Sequence, residues 1–330
     1  MKDWAKRTIV GSGLLRMAAS VRGPSAAILM YHSVLPDPSL WVDSLGEIAH
    51  SELVFRAQME LLAREFHPIS LDQAIKHLRS GDDLPRRSVV ITFDDGYADN
   101  YEFAMPVLNQ IGVPATFYVT VDCVENKRLP WPSRLRFAFR NTKLSAWKDS
   151  QGKNWSLRSP SEREEAFLSS CDVCCQLSGK AQEDFVARLE QELYAKIPCR
   201  QASPMLSYEQ MRGLQRKGHI VGSHTMTHPN MAYLKQEEAA RELTESKRRL
   251  ELNLEAPIPH FSYPCPALSP HWSVQTAEQS RAAGYETAVT TDNGITRTGD
   301  NPFCLKRIRP TKTVEGLRWN LESAFAGRAV

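Results

Sequence analysis

The chain has few cysteines, little net charge and no long hydrophobic run, and each shortage excludes something. Its seven cysteines among 330 residues are an odd number at irregular spacing, unlike the even framework of a disulfide-stapled secreted domain. Cys171-x-x-Cys174-Cys175 would be half of a zinc site, yet no second Cys or His pair lies close by in sequence. These residues read as reduced structural thiols in a reducing compartment. Lys and Arg number 41 against 38 Asp and Glu, a formal net charge of +3, which lacks the basic excess of a nucleic-acid binder. No apolar stretch is long enough to span a bilayer. The longest N-terminal one, Thr8 to Leu15, holds two glycines and is broken by Arg16, so it is a poor signal peptide. Because Lys2, Lys6 and Arg7 precede it, peripheral contact of this arm with a membrane surface stays among the expectations. No repeat or low-complexity tract is present.

What the chain does have is an ordinary globular composition, 42% hydrophobic and 24% charged, sufficient for a large core. Its organising stretch is Ser88-Val89-Val90-Ile91-Thr92-Phe93-Asp94-Asp95-Gly96, a β-branched apolar run that reads as a buried strand and stops in two carboxylates and a glycine. Parallel barrels gather their chemistry at such C-terminal strand ends. Two adjacent carboxylates are costly unless a positive group lies against them.

Strand and helix signals alternate on both sides of this stretch. Ala26–His32 and Val113–Thr120 read as strands, and Ser51 and Ser70 as caps of amphipathic helices. Residues 36–51 read as loop. Alternation stops over 126–202, which holds Trp131, Trp147, Trp155 and the cysteine cluster, then resumes from 204. The expected division is therefore an arm over 1–24, an α/β barrel over 25–125 and 203–330, and a helical insertion over 126–202. That insertion either borders the active-site mouth or forms an extra layer.

Three strand ends carry titratable or metal-capable residues: His32, the Asp94/Asp95 pair, and His224 with His228. Histidines four apart share one side of a helical turn and can hold one cation. A divalent cation held by one Asp and both His would neutralise the acidic pair. Three protein ligands leave positions open for water and substrate, as in a catalytic site. Adjacent strand residues point to opposite faces, so both carboxylates can reach one site only if the chain curls at Asp95-Gly96.

Thr92-Phe93-Asp94-Asp95-Gly96, followed by His224-Thr225-Met226-Thr227-His228-Pro229, resembles the polysaccharide deacetylase (NodB-homology) family, carbohydrate esterase family 4. The resemblance spans about residues 25–125 and 203–310. It implies a distorted (β/α) barrel with fewer strands than an eightfold one, and metal-dependent removal of N-acetyl groups, less often O-acetyl groups, from sugars. By position it implies Asp94 as general base, with Asp95, His224 and His228 as ligands of one divalent ion, zinc by default. The third motif, Phe261-Ser262-Tyr263-Pro264-Cys265-Pro266, is similar to that of the exopolysaccharide branch. There Tyr263, Pro264 and Cys265 would be oxyanion- and substrate-binding positions, with Cys265 giving the oxyanion N–H. Ser262 stands where the family's base-orienting arginine belongs, and Arg307 is the expected substitute, paired with Asp94. The usual late Leu-x-His motif is missing, and Tyr31-His32 matches the early Tyr-His that replaces it in that branch, making His32 the general acid. The expected partner is an acetylated glycan precursor, in the cytoplasm or at the inner membrane face. Rival readings are hydrolysis of formyl or other acyl amides on a non-polymeric substrate, and an inactive glycan-binding module.

Overall fold

The computed structural model describes residues 11–80, 84–198 and 203–329. Seven strands form its frame: β1 (Ser25–Tyr31), β2 (Ser88–Phe93), β3 (Ala115–Val119), β4 (Ile220–Ser223), β5 (His260–Ser262), β6 (Thr287–Asn293) and β7 (Leu305–Arg307). They run parallel and pair in chain order. Ile308, just past β7, returns to β1: its N–H donates to the Ile28 carbonyl at 2.7 Å and its carbonyl accepts from Met30 N–H at 3.1 Å. The sheet thus nearly closes into the distorted barrel expected. Two short pieces widen its N-terminal rim, His67–Pro68 on β2 and the antiparallel Thr296–Arg297 on β1.

Every residue of β2 is buried, as its unbroken apolar run requires of a strand covered on both faces. Alternate side chains divide the core. Val89, Ile91 and Phe93 join Ala27, Leu29 and Tyr31 beneath the outer helices, among them α2 (Glu52–Glu65), whose N-cap is Ser51; α1 (Leu14–Ser20) precedes it in the chain. Val90 faces the barrel interior with Ala26, Ile28, Tyr118 and Leu305, where α3 (Leu71–Ser80) supplies Leu71, Ala74, Ile75 and Leu78. The same inward alternation carries Thr92 and then Asp94 toward the C-terminal end.

Residues 131–193 build a second core. Helices α4 (Trp131–Asn141), α5 (Pro160–Cys174) and α6 (Gly179–Glu192) enclose Trp131, Phe139, Phe167, Cys171 and Cys174. Arg134 ties α4 to α6 with bonds of 3.0 and 2.8 Å to Glu190 and 2.6 Å to Glu183. Trp131 and Trp147 pack in this core. Residues 36–51 are more ordered than a loop: Asp37 accepts from Ser39 N–H at 3.0 Å to start a 3-10 turn, and Ala49–Ser51 pairs with Ser33–Leu35. Helix α7 (Gln236–Leu254) packs outside β4. No helix among the described residues is long and apolar enough to cross a membrane.

Candidate active site

Asp94 and Asp95 reach one site because the backbone turns over between them. Asp95 has φ 74° and Gly96 φ 82°, a left-handed pair that swings Asp95 off the strand's alternation. A side chain at Gly96 would also bring its Cβ within 3.1 Å of Val119, so glycine serves both conformation and space.

Asp94 is met by a positive group from across the barrel. Arg307 donates from Nη1 to Asp94 Oδ1 at 2.8 Å and from Nη2 to Oδ2 at 2.7 Å. Its Nε donates to the Thr290 carbonyl at 2.7 Å, and Thr92 and Ser262 hydroxyls accept from the same fork at 3.2 and 3.1 Å. Ser262 in turn donates to Asp94 Oδ1 at 3.2 Å. Ser262 offers only a neutral hydroxyl, and the guanidinium comes from β7 to lie against it. Burial pushes the Asp94 carboxyl up, but Arg307, joined by His224 and His32, holds the group below the usual carboxylate range.

The two histidines converge without a helix. Residues 224–228 form a loop in which Thr225 and His228 both have positive φ, 69° and 62°, correcting the helical-turn expectation. Glu242 of α7 holds that loop, accepting from Met226 N–H at 2.8 Å, Thr227 N–H at 2.9 Å and the Thr227 hydroxyl at 2.6 Å. Trp131 adds a bond from the insertion, its indole donating to the His228 carbonyl at 2.9 Å. His224 Nδ1 lies 2.8 Å from the Ser262 carbonyl, a bond only an N–H can make, and in the neutral ring that tautomer leaves the lone pair on Nε2.

Asp95 Oδ1 lies 3.5 Å from His224 Nε2 and 3.2 Å from His228 Nε2. That oxygen is buried and receives no hydrogen bond. Ligands about 2.0–2.1 Å from a tetrahedral zinc sit roughly 3.3–3.4 Å apart, so Asp95 Oδ1 already stands at coordination-shell spacing from both nitrogens, and all three ligand atoms lie within 4.8 Å of one another. Among the described residues this is the one group of three or more His, Cys, Asp or Glu positioned to hold a metal ion.

A cavity of about 210 Å³ opens over the group, lined by His32, Asp94, Asp95, His224, His228 and Cys265 among others. Asn100 donates to the His32 carbonyl at 2.7 Å and to Asp99 Oδ1 at 2.9 Å, while Asp99 accepts from the Ser33 hydroxyl at 2.6 Å and Val34 N–H at 3.1 Å. Burial lowers the His32 imidazole, with Asp95 and Asp94 pulling it partly back. Cys265 is exposed, and its N–H meets no acceptor among the described residues. Tyr263 and Pro264 depart from expectation. Neither lines the cavity; the Tyr263 ring is fully buried, and its hydroxyl donates to the Phe303 carbonyl at 3.1 Å and lies 3.0 Å from Ser280. Alternation along the strand explains this, since Ser262 faces inward and Tyr263 therefore faces the outer helices. His50, Arg136 and Arg309 also line the cavity. Each comes from a segment with no local motif, so sequence spacing offered no signal for them.

The family model described as polysaccharide deacetylase matches residues 81–165 and 176–288. The chain belongs to the polysaccharide deacetylase family. That membership makes it a carbohydrate deacetylase, a hydrolase of acetylated glycans. The matched residues run through much of 126–202, beyond the two segments that carry the motif resemblance. YxkH of Bacillus subtilis (strain 168), provisionally named a polysaccharide deacetylase, is 21% identical over 289 residues, covering 88% of this chain and 72% of YxkH. The fold is shared with the Streptococcus pyogenes deacetylase PplD, at 18% identity and TM-score 0.61, covering 91% of this chain and 99% of PplD. It is shared also with IcaB from Ammonifex degensii, at 20% identity and TM-score 0.59, covering 92% and 99%.

Proposed function

We propose that this deacetylase is metal-dependent and removes N-acetyl groups from an amino sugar within a glycan or glycan precursor. The observation that carries the reading is the convergence of Asp95 Oδ1 and two imidazole Nε2 atoms beside a separately paired Asp94. A divalent ion held by Asp95, His224 and His228, with zinc the default for such donors, would supply Lewis acidity at the acetyl carbonyl and acidify water.

The chain's own residues then share the proton work. Asp94 takes a proton from the attacking water as its oxygen bonds to the acetyl carbon. Arg307 keeps Asp94 ionised and aimed. The Cys265 N–H donates to the oxyanion. His32 gives a proton to the departing nitrogen as the C–N bond breaks, leaving acetate and a free amine. Substrate presence in the cytoplasm or at the inner membrane face, and a place in exopolysaccharide synthesis, complete the proposal; the 131–193 layer, tied to the His228 loop by Trp131, borders the mouth.

Metal content and acetate release from acetylated chitooligosaccharides, with Asp94→Asn as control, test it. Bound metal with Asp94-dependent release is expected. Absence of release across a range of acetylated glycans despite bound metal would overturn it.

A further inference from the structure

The end of the barrel opposite the cleft carries a surface that deacetylation does not use. Helix α1 lies there with two apolar faces. Leu15 packs inward with Ala326 and Trp319. The other face presents Leu14, Met17 and Val21, 62%, 70% and 85% exposed. Their i, i+3, i+7 spacing puts them in one stripe, and a contiguous exposed apolar stripe marks a contact site.

The charges around the stripe are segregated by depth. Glu65 and Glu322 have side chains only 15% and 2% exposed, and they hold Arg16, Arg64, Arg87 and Arg318 above them. Arg22 and Arg86 are exposed and have no carboxylate partner among the described residues. Six arginines therefore gather around two sunken carboxylates, the paired ones ranging from Arg64 at 67% exposed to Arg87 at 22%. Four of them, Arg16, Arg22, Arg86 and Arg87, line a hollow of about 520 Å³ beside α1.

We propose that this face seats the protein on an anionic lipid surface. The arginines meet lipid phosphates, and the Leu14, Met17 and Val21 stripe dips into the headgroup boundary. Charge complementarity selects this occupant over a second copy of the chain, whose matching face would be equally basic. The hollow is lined by Ser25 and by Arg87, at the starts of β1 and β2, whereas the cleft is lined by His32 and Asp94, just past their ends. The catalytic mouth consequently points away from the membrane, toward glycan extending into water.

Co-sedimentation of the full chain with vesicles tests this without any appeal to catalysis. Binding is expected to mixed phosphatidylglycerol and phosphatidylcholine vesicles, weakening steeply with salt, and not to phosphatidylcholine alone. Arg22→Gln with Arg86→Gln should lower partitioning about thirtyfold. Met17→Ser with Val21→Ser should weaken it while leaving the salt slope unchanged. Both variants lie on the surface and should keep wild-type melting and acetate release. Equal binding to both vesicle types, no binding, or wild-type binding by either variant would overturn the proposal. So would conversion of a dimer to a monomer by the serine variant with vesicle binding intact, which would make the stripe a self-association face.

Discussion

Arg307 and Asp94 meet through two parallel hydrogen bonds of 2.8 and 2.7 Å, with 1% and 2% of their surfaces exposed. Removing one partner of such a pair strands a buried charge and costs about 3–5 kcal/mol. Arg307→Met should therefore lower stability by that order in urea melts and reduce acetate release at least ~100-fold. Adding Asp94→Asn should recover part of the stability but none of the activity. Full turnover by Arg307→Met would remove its assigned role.

If His32 protonates the leaving amine, its loss should fall on the step that needs that proton. His32→Gln is expected to lower kcat on N-acetyl substrates by about 10²–10⁴-fold with little change in KM. An activated aryl acetate ester, whose leaving group departs unprotonated, should be spared. Equal losses on both substrates would point to positioning instead.

Glu242 touches no proposed ligand atom, yet it shapes the loop that aims His228. Glu242→Gln turns one of its acceptor oxygens into a donor facing N–H groups. Supporting contacts of this kind tune metal affinity about 10–100-fold. A loss of that size is expected in chelator competition, along with weaker thermal stabilisation by added zinc. Unchanged affinity would show that the loop holds its shape without this carboxylate.

Burial raises the Asp99 carboxyl to about 7, despite the bonds it accepts from Ser33, Val34 and Asn100. The folded protein thus holds this proton well above the value of 3.8 at which the unfolded chain releases it. The stabilisation is complete below about pH 4 and is lost as pH rises toward 7. Asp99→Asn cannot titrate, so its melting temperature should fall less than the wild type's across that window. Parallel curves would contradict the assignment.

Much of the barrel was legible because its strands are buried on both faces. Such strands need unbroken apolar runs, and β2 announces itself that way together with its turn at Gly96. The Asp and His positions were legible for a related reason, since they interrupt apolar strands at their ends, where parallel barrels expose chemistry. The local shape of 224–228 was not legible. Four-residue spacing suggests a helix, and partners distant in sequence, Glu242 and Trp131 among them, hold a loop there instead. The outward turn of Tyr263 follows from the phase of β5, which no single short motif reveals.

The sequence alone determined which residues could do chemistry and that they stand at strand ends, because composition and alternation are local properties. Only the tertiary structure decided which of them meet. The bond between Arg307 and Asp94 spans 213 residues, the tie from Trp131 to His228 spans 97, and the arginines over Glu65 and Glu322 come from four separate segments. Barrel closure brings these groups together, and closure is a property of the whole sheet rather than of any stretch within it.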